Sequence, residues 1–270
     1  MKAIFYLSVC TALLLSSCAV DSGFDVHPNN ATSADTTINL TPASGEAVVL
    51  TTTNDSVNTF FRGSVKTFTG TNMAPTTIEI DPSTTYQTID GFGFALTYSS
   101  AYNLLHMSQA ARTAFLKRTF SPTEGYGVSY LRISIGCSDF SSRVYTLCDT
   151  EGIDNFALQS DETNYIVPVL KEILAINPNV KIIASPWTCP RWMKTTETLS
   201  GSYDSWTGGR LRPARRSVYA QYFVKFIQAM QAEGISIYAV TPQNEPLNKG
   251  NCASLYMPWE DEAPFVRVLA

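Results

Sequence analysis

From Tyr86 onward the chain alternates short apolar runs with amphipathic helical stretches, and this alternation limits the available folds more than any other feature. The runs "TIDGFGFAL", "VSYLRISIG", "KIIAS" and "ISIYAV" read as strands, the first broken by glycines. Ser108 caps a helix running to about Phe120, with Ala111, Phe115 and Leu116 inward. Pro168 sits in the first turn of another, which turns Val169, Leu170, Ile173 and Leu174 inward. Tyr219, Tyr222, Phe223, Phe226, Ile227 and Met230 form the stripe of a third, stopped at Gly234, and "WEDEAPFVRVL" opens a fourth. Strands joined through helices run parallel, so the fold class is α/β.

The long connections all follow strands: Gly136 to about Ser160, Pro186 to Pro213, and Thr241 to about Pro258. Such asymmetry suits a (β/α) barrel, whose chemistry sits at the C-terminal ends of its strands. A doubly wound sheet obeys the same rule, but "DGFGF" lacks the GxGxxG fingerprint and the sequence shows no helix close behind it. The net charge of −4 gives no reason to expect nucleic acid as a partner. The basic cluster Arg210, Arg212, Arg215 and Arg216 reads as a solvated loop entering a helix. Cations at a helix N-terminus oppose its dipole, so one of these arginines is a candidate for a carboxylate partner.

The stretch "AVTPQNEP" places Asn244 and Glu245 between Pro242 and Pro246, just where the fourth strand stops. A carboxylate held there suits a general acid, provided burial or a second carboxylate raises its pKa. Asn244 suits the holding of a sugar hydroxyl; the plainer alternative is a loop in which Glu245 caps the next helix. In "ASPWTCPRWMKT" Trp187 and Trp192 follow the third strand, either as surfaces for a sugar ring or as an apolar plug. "LRISIGCSDFS" brings Arg132, Ser138 and Asp139 toward the same face. No P-loop, serine elbow or HExxH is present, and His27 and His106 are too few and the cysteines too widely spaced for zinc.

Together, "TIDGFGFALTYSSA", "LRISIGCSDFS", "ASPWTCPRWMKT" and "YFVKFIQAMQAEGISIYAVTPQNEP" resemble glycoside hydrolase family 30, the glucosylceramidase and β-1,6-glucanase group, from about Ile78 to Glu262. The resemblance implies a (β/α)8 TIM barrel with an attached β-sandwich, of which residues 42–85 would supply N-terminal strands and residues 86–270 the first half of the barrel. It implies Glu245 as general acid/base, Asn244 against the hydroxyl next to the reacting carbon, and Trp187 lining the sugar subsite; Asp139 and Trp192, from their place just beyond strands, are further candidate substrate contacts. Tyr98 stands where the family often has an aspartate that grips a sugar hydroxyl. Retaining hydrolysis also needs a carboxylate nucleophile, which in this family lies at the end of strand seven. Only four strands are read before Ala270, so the sequence-level expectation is an inactive N-terminal portion of a retaining β-glycosidase. The substrate implied is a β-glucan or β-glucoside, with no cofactor and no metal; the alternative is a surface-anchored glycan-binding protein without catalysis.

Residues 1–17 have the order of a secretory signal: Lys2, an apolar core from Ala3 to Leu15, then small residues. The ending Leu15-Ser16-Ser17-Cys18 resembles a bacterial lipoprotein signal, with Cys18 lipidated, residues 18–41 as a polar tether, and an exported, membrane-anchored location. Cys137, Cys148, Cys189 and Cys252 allow three pairings, among which the sequence does not choose.

Overall fold

A computed structural model describes residues 44–51, 53–54, 61–66 and 81–270. Cys18, the signal and the tether lie outside these residues, as does the run "TTIEI". The chain divides into two compact units, one ending at Ser83 and one beginning at Thr84. In the first unit the β-branched run of β1 (Glu46–Thr51) pairs antiparallel with β2 (Phe61–Lys66), Glu46 opposite Lys66 and Thr51 opposite Phe61.

The second unit is built on β3 (Gly93–Ala95), β4 (Tyr130–Ser134), β5 (Lys181–Ser185), β6 (Lys194–Thr195), β7 (Arg210–Leu211) and β8 (Ala239–Val240). Four of these form one parallel sheet in the order β3-β4-β5-β8, in which Ala95 pairs with Arg132 and Ser134 with Ser185. The short β6 and β7 pair antiparallel within the connection after β5. The helices are α1 (Tyr98–His106), α2 (Gln109–Phe120), α3 (Val167–Ile176), α4 (Arg216–Ala232) and α5 (Trp259–Leu269). Leu131, Ile133, Ile182 and Ala184 bury one face of the sheet with Leu116 and Phe120 of α2, Leu170 and Ile173 of α3, and Phe223 and Phe226 of α4 in one apolar cluster. Each large side chain so buried stabilises by about 1.5–3 kcal/mol before entropy is counted. The aromatic stripe of α4 is therefore core, and its helix stops before Gly234, whose φ of 80° few other residues adopt.

Several expectations are corrected. A helix does follow "DGFGF" closely: only Leu96 and Thr97 separate β3 from α1, and the Thr97 hydroxyl caps the helix by accepting from Ser100 N at 3.3 Å. α1 is only nine residues long, and its inward stripe of Ala101, Leu104 and Leu105 spans little more than two turns, so it is a short signal to read from sequence. On α2 Leu116 is buried and Phe115 packs against the cluster as expected, but Ala111 is exposed and Arg112 is buried, its Nε reaching Glu172 at 2.9 Å and its Nη2 donating to Gln109 at 2.6 Å. A buried guanidinium is tolerable only when so paired. The arginine cluster is not simply solvated. Arg210 and Arg216 converge on the buried Asp261 at 2.6 and 3.3 Å, and Arg215 meets Glu151 at 2.7 Å. Cys137, Cys148, Cys189 and Cys252 are all free thiols.

Candidate active site

The parallel register brings the C-terminal ends of β4, β5 and β8 side by side, and hydrogen bonds beyond the strands extend that alignment. Thr241 N donates to Ala184 O at 3.0 Å and Asn244 N to Pro186 O at 2.8 Å, so the chain leaving β8 lies along the chain leaving β5. The Thr241 hydroxyl reaches Ser185 Oγ at 2.5 Å. Gln243, buried between the two connections, donates from Nε2 to Trp187 O at 2.7 Å and to Asn244 O at 2.9 Å.

Three of the residues expected at the site are gathered around Arg132, which projects from β4. Its Nη2 donates to Asn244 Oδ1 at 2.8 Å, and its guanidinium carbon lies 4.9 Å from the centre of the Trp187 ring. Burial lowers the pKa of Arg132 from its ordinary value, and the charge of Glu245 opposes that shift. Asn244 Oδ1 is thus engaged by a cation, which leaves its amide N–H groups as the donors of that side chain. Trp187 is only 8% exposed, and its indole N–H has no hydrogen-bond partner among the described residues.

Glu245 itself is exposed, and its φ of 44° lies in the left-handed region that side chains with a Cβ disfavour. Backbone held there costs on the order of 1–3 kcal/mol and persists where surrounding structure enforces it, commonly at functional sites. The enforcing contacts are local: Asn248 N donates to Glu245 O at 2.8 Å and Asn248 Nδ2 to Glu245 Oε2 at 2.7 Å, while Met257 N donates to Pro246 O at 2.7 Å. Glu245 therefore sits in a strained turn five residues beyond the end of β8 and does not cap a helix.

The other expected contacts have different surroundings. Asp139 is exposed on the connection after β4, whose Phe140 carbonyl accepts from Ser99 of α1. Tyr98, the first residue of α1, packs edge-on against Tyr165 at 5.0 Å and near Tyr102 at 6.0 Å. Trp192 is pinned by its indole N–H to Cys148 O at 2.8 Å, with Arg215 stacked 5.2 Å from its ring centre. It lines a cavity of about 230 Å³ with Asp149, Arg191, Tyr203, Asp204 and Arg212. Sequence reasoning missed the hub role of Arg132 and the clamp made by Gln243. The available signal for the first was a charge inside the apolar run "YLRIS". Among the described residues no group of three or more His, Cys, Asp or Glu is placed to hold a metal ion.

The site is thus a parallel α/β sheet with a cation, an amide, an indole and a strained carboxylate gathered beyond its strand ends. The chain belongs to glycoside hydrolase family 30: the model of that family's TIM-barrel domain matches residues 89–257. It is 34% identical over 182 residues to the lysosomal acid glucosylceramidase of Mus musculus, covering 66% of this chain and 34% of that protein. It is 36% identical over 193 residues to an endo-1,6-β-D-glucanase of Neurospora crassa, covering 69% of this chain and 39% of that protein. Among solved structures, the endo-β1,6-glucanase BT3312 superposes with a TM-score of 0.73 at 57% identity, covering 82% of this chain and 47% of that one. The chain thus spans less than half the length of each of these relatives.

Proposed function

We propose that this chain carries the acid/base half of a retaining β-glycosidase that hydrolyses β-1,6-linked glucan. The observation that carries the reading is the strained Glu245 turn beyond the end of β8, beside an Asn244 oriented by Arg132. The substrate class is supported by the 57% identity to a protein titled an endo-β1,6-glucanase. In this reading Glu245 protonates the leaving glucosyl oxygen as the bond to the anomeric carbon breaks, and then takes a proton from the water that releases the sugar. Asn244 donates to the hydroxyl beside the reacting carbon, and the Trp187 ring lines the sugar subsite. A second carboxylate, about 5–5.5 Å away, forms the glycosyl-enzyme. We assign it to polypeptide outside the four parallel strands, which we read as the first part of an eight-stranded barrel, with β1 and β2 belonging to its side sandwich.

The test is Glu245→Gln in the complete native protein. Hydrolysis of β-1,6-glucan, whose leaving group is poor, should fall by about 10²–10⁴-fold, the usual worth of a positioned acid or base. An activated aryl β-glucoside should lose much less in the glycosylation step. Normal turnover of both substrates, with glucan binding retained, would instead favour a glycan-binding protein that uses Trp187 and Asn244 without catalysis.

A further inference from the structure

Lys194 is fully buried, at 0% exposure, yet no carboxylate pairs with it among the described residues. Its ammonium instead donates to four main-chain carbonyls: Ser205 at 3.0 Å, Gly208 at 2.8 Å, Ser254 at 2.8 Å and, more weakly, Trp206 at 3.4 Å. Three of these belong to the connection between β6 and β7, and the fourth to the connection after β8. A buried lysine is costly unless something uses its charge. Here burial pushes its pKa down to about 8, with Cys189, Cys252 and Cys137 opposing the shift and Arg191 adding to it.

The two connections are laced together around this ammonium. Ser254 N donates to Trp206 O and Tyr256 N to Gly209 O, each at 2.9 Å, and Gly208 N donates to Ser254 Oγ at 2.9 Å. One residue past Tyr256 in this bonded run the chain returns to the site, through Met257 N on Pro246 O at 2.7 Å. Pro246 follows Glu245 directly. Lys194 sits on β6, paired with Leu211 of β7, so it is anchored to the rigid side of the lacing.

We propose that Lys194 is the positioning residue of the loop that carries Glu245. Its ammonium fixes Ser254 to residues 205–208, and the Met257–Pro246 bond passes that restraint to the strained Glu245 turn. The catalytic part of this proposal rests on Glu245 being the acid/base.

Hydrogen exchange on the 270-residue chain tests the tether, with Lys194→Met as the isosteric neutral variant and Lys194→Gln as one that keeps donors. Loss of a buried charged donor should raise exchange in residues 201–211 and 244–257 by about 10- to 100-fold, the change in Lys194→Gln being smaller, while α3 and α4 stay protected. Unchanged exchange in both segments would overturn the proposal. So would loss of protection throughout the chain in both variants, since Lys194 would then be core packing alone. In the native protein, Lys194→Met should lower kcat on β-1,6-glucan more than on an aryl β-glucoside, with KM within about twofold, because a displaced acid matters most for a poor leaving group. Equal losses on the two substrates would overturn the positioning role. Normal turnover in Glu245→Gln would remove the acid/base reading alone, and the exchange result would still decide the tether.

Discussion

At the scale of single residues, Glu245 shows how the sequence announces a site and what it conceals. Two flanking prolines at a strand end marked the position, and the structure adds a φ of 44° that no sequence pattern reveals. Left-handed backbone disfavours every residue with a Cβ, and β-branched ones most. Glu245→Gly should therefore melt no lower than the native chain, and up to about 1 kcal/mol more stably, whereas Glu245→Val should lose about 1–2 kcal/mol. Thermal melts of the two variants side by side provide the check. If valine were tolerated as well as glycine, the turn would not be strained and a main support for the site would fall. Asn244 and Trp187 were legible in the same way, as polar and aromatic residues just beyond strands. The partner that orients them was less so: a lone arginine in an apolar strand shows only that something must face it, and Asn244 is 112 positions away.

At the scale of elements, the buried run "KIIAS" was legible to the residue, because a short continuous apolar segment ending in serine has one reading. By contrast "ISIYAV" yields only the two-residue β8, since it is held by a single neighbour, β5, and its other side is open among the described residues. Nor did the sequence reveal the π-turn Glu162–Ile166 that feeds α3. That turn holds Glu162 buried, with its Oε1 accepting from Tyr145 OH at 2.6 Å and its Oε2 from Gln159 N at 2.9 Å. Burial raises the Glu162 pKa from 4.5 to about 7, and the charge of Asp161 adds to the rise while these two hydrogen bonds oppose it. Asp161 is itself paired with Arg143, whose guanidinium also lies over the Tyr145 ring. With the folded pKa above the unfolded one, the folded state holds more protons between the two values. Stability from this group is complete below pH 4.5 and is lost as pH rises through about 7. Glu162→Gln should remove that slope. Relative to the native chain it should gain on the order of 3 kcal/mol between pH 4.5 and 8, a size set by a carboxyl whose pKa rises from 4.5 to about 7 on folding. Denaturant midpoints at the two pH values measure this, and a difference between the proteins that does not change with pH would refute it.

At the scale of the whole second unit, the sheet is dressed unequally. Its helix-covered face is packed with the apolar cluster, and that half of the architecture followed from the alternation of strand and helix. The two outer strands are different. Phe92 and Phe94 at β3 are 74% and 48% exposed, and Tyr238 beside β8 is 56% exposed. β3 hydrogen-bonds only β4, and β8 only β5, among the described residues. Open edges offer unpaired N–H and C=O groups to other chains, and exposed aromatic rings beside them add a driving force of about 1.5–3 kcal/mol for each large side chain covered. Several such contacts rival a whole domain's net stability of about 5–15 kcal/mol, so they are enough to decide its state of association. The 270-residue chain on its own should therefore bind an apolar-surface dye and associate as its concentration rises. Phe94→Lys should weaken both effects without lowering the melting temperature, because this side chain is not part of the buried cluster. Sedimentation and dye titration of the two proteins make the comparison. A native chain that stays monomeric and dye-free would show that these edges are already covered. A Phe94→Lys chain that unfolds would instead make the ring, which lies 6.0 Å from Phe120, a structural member of the core.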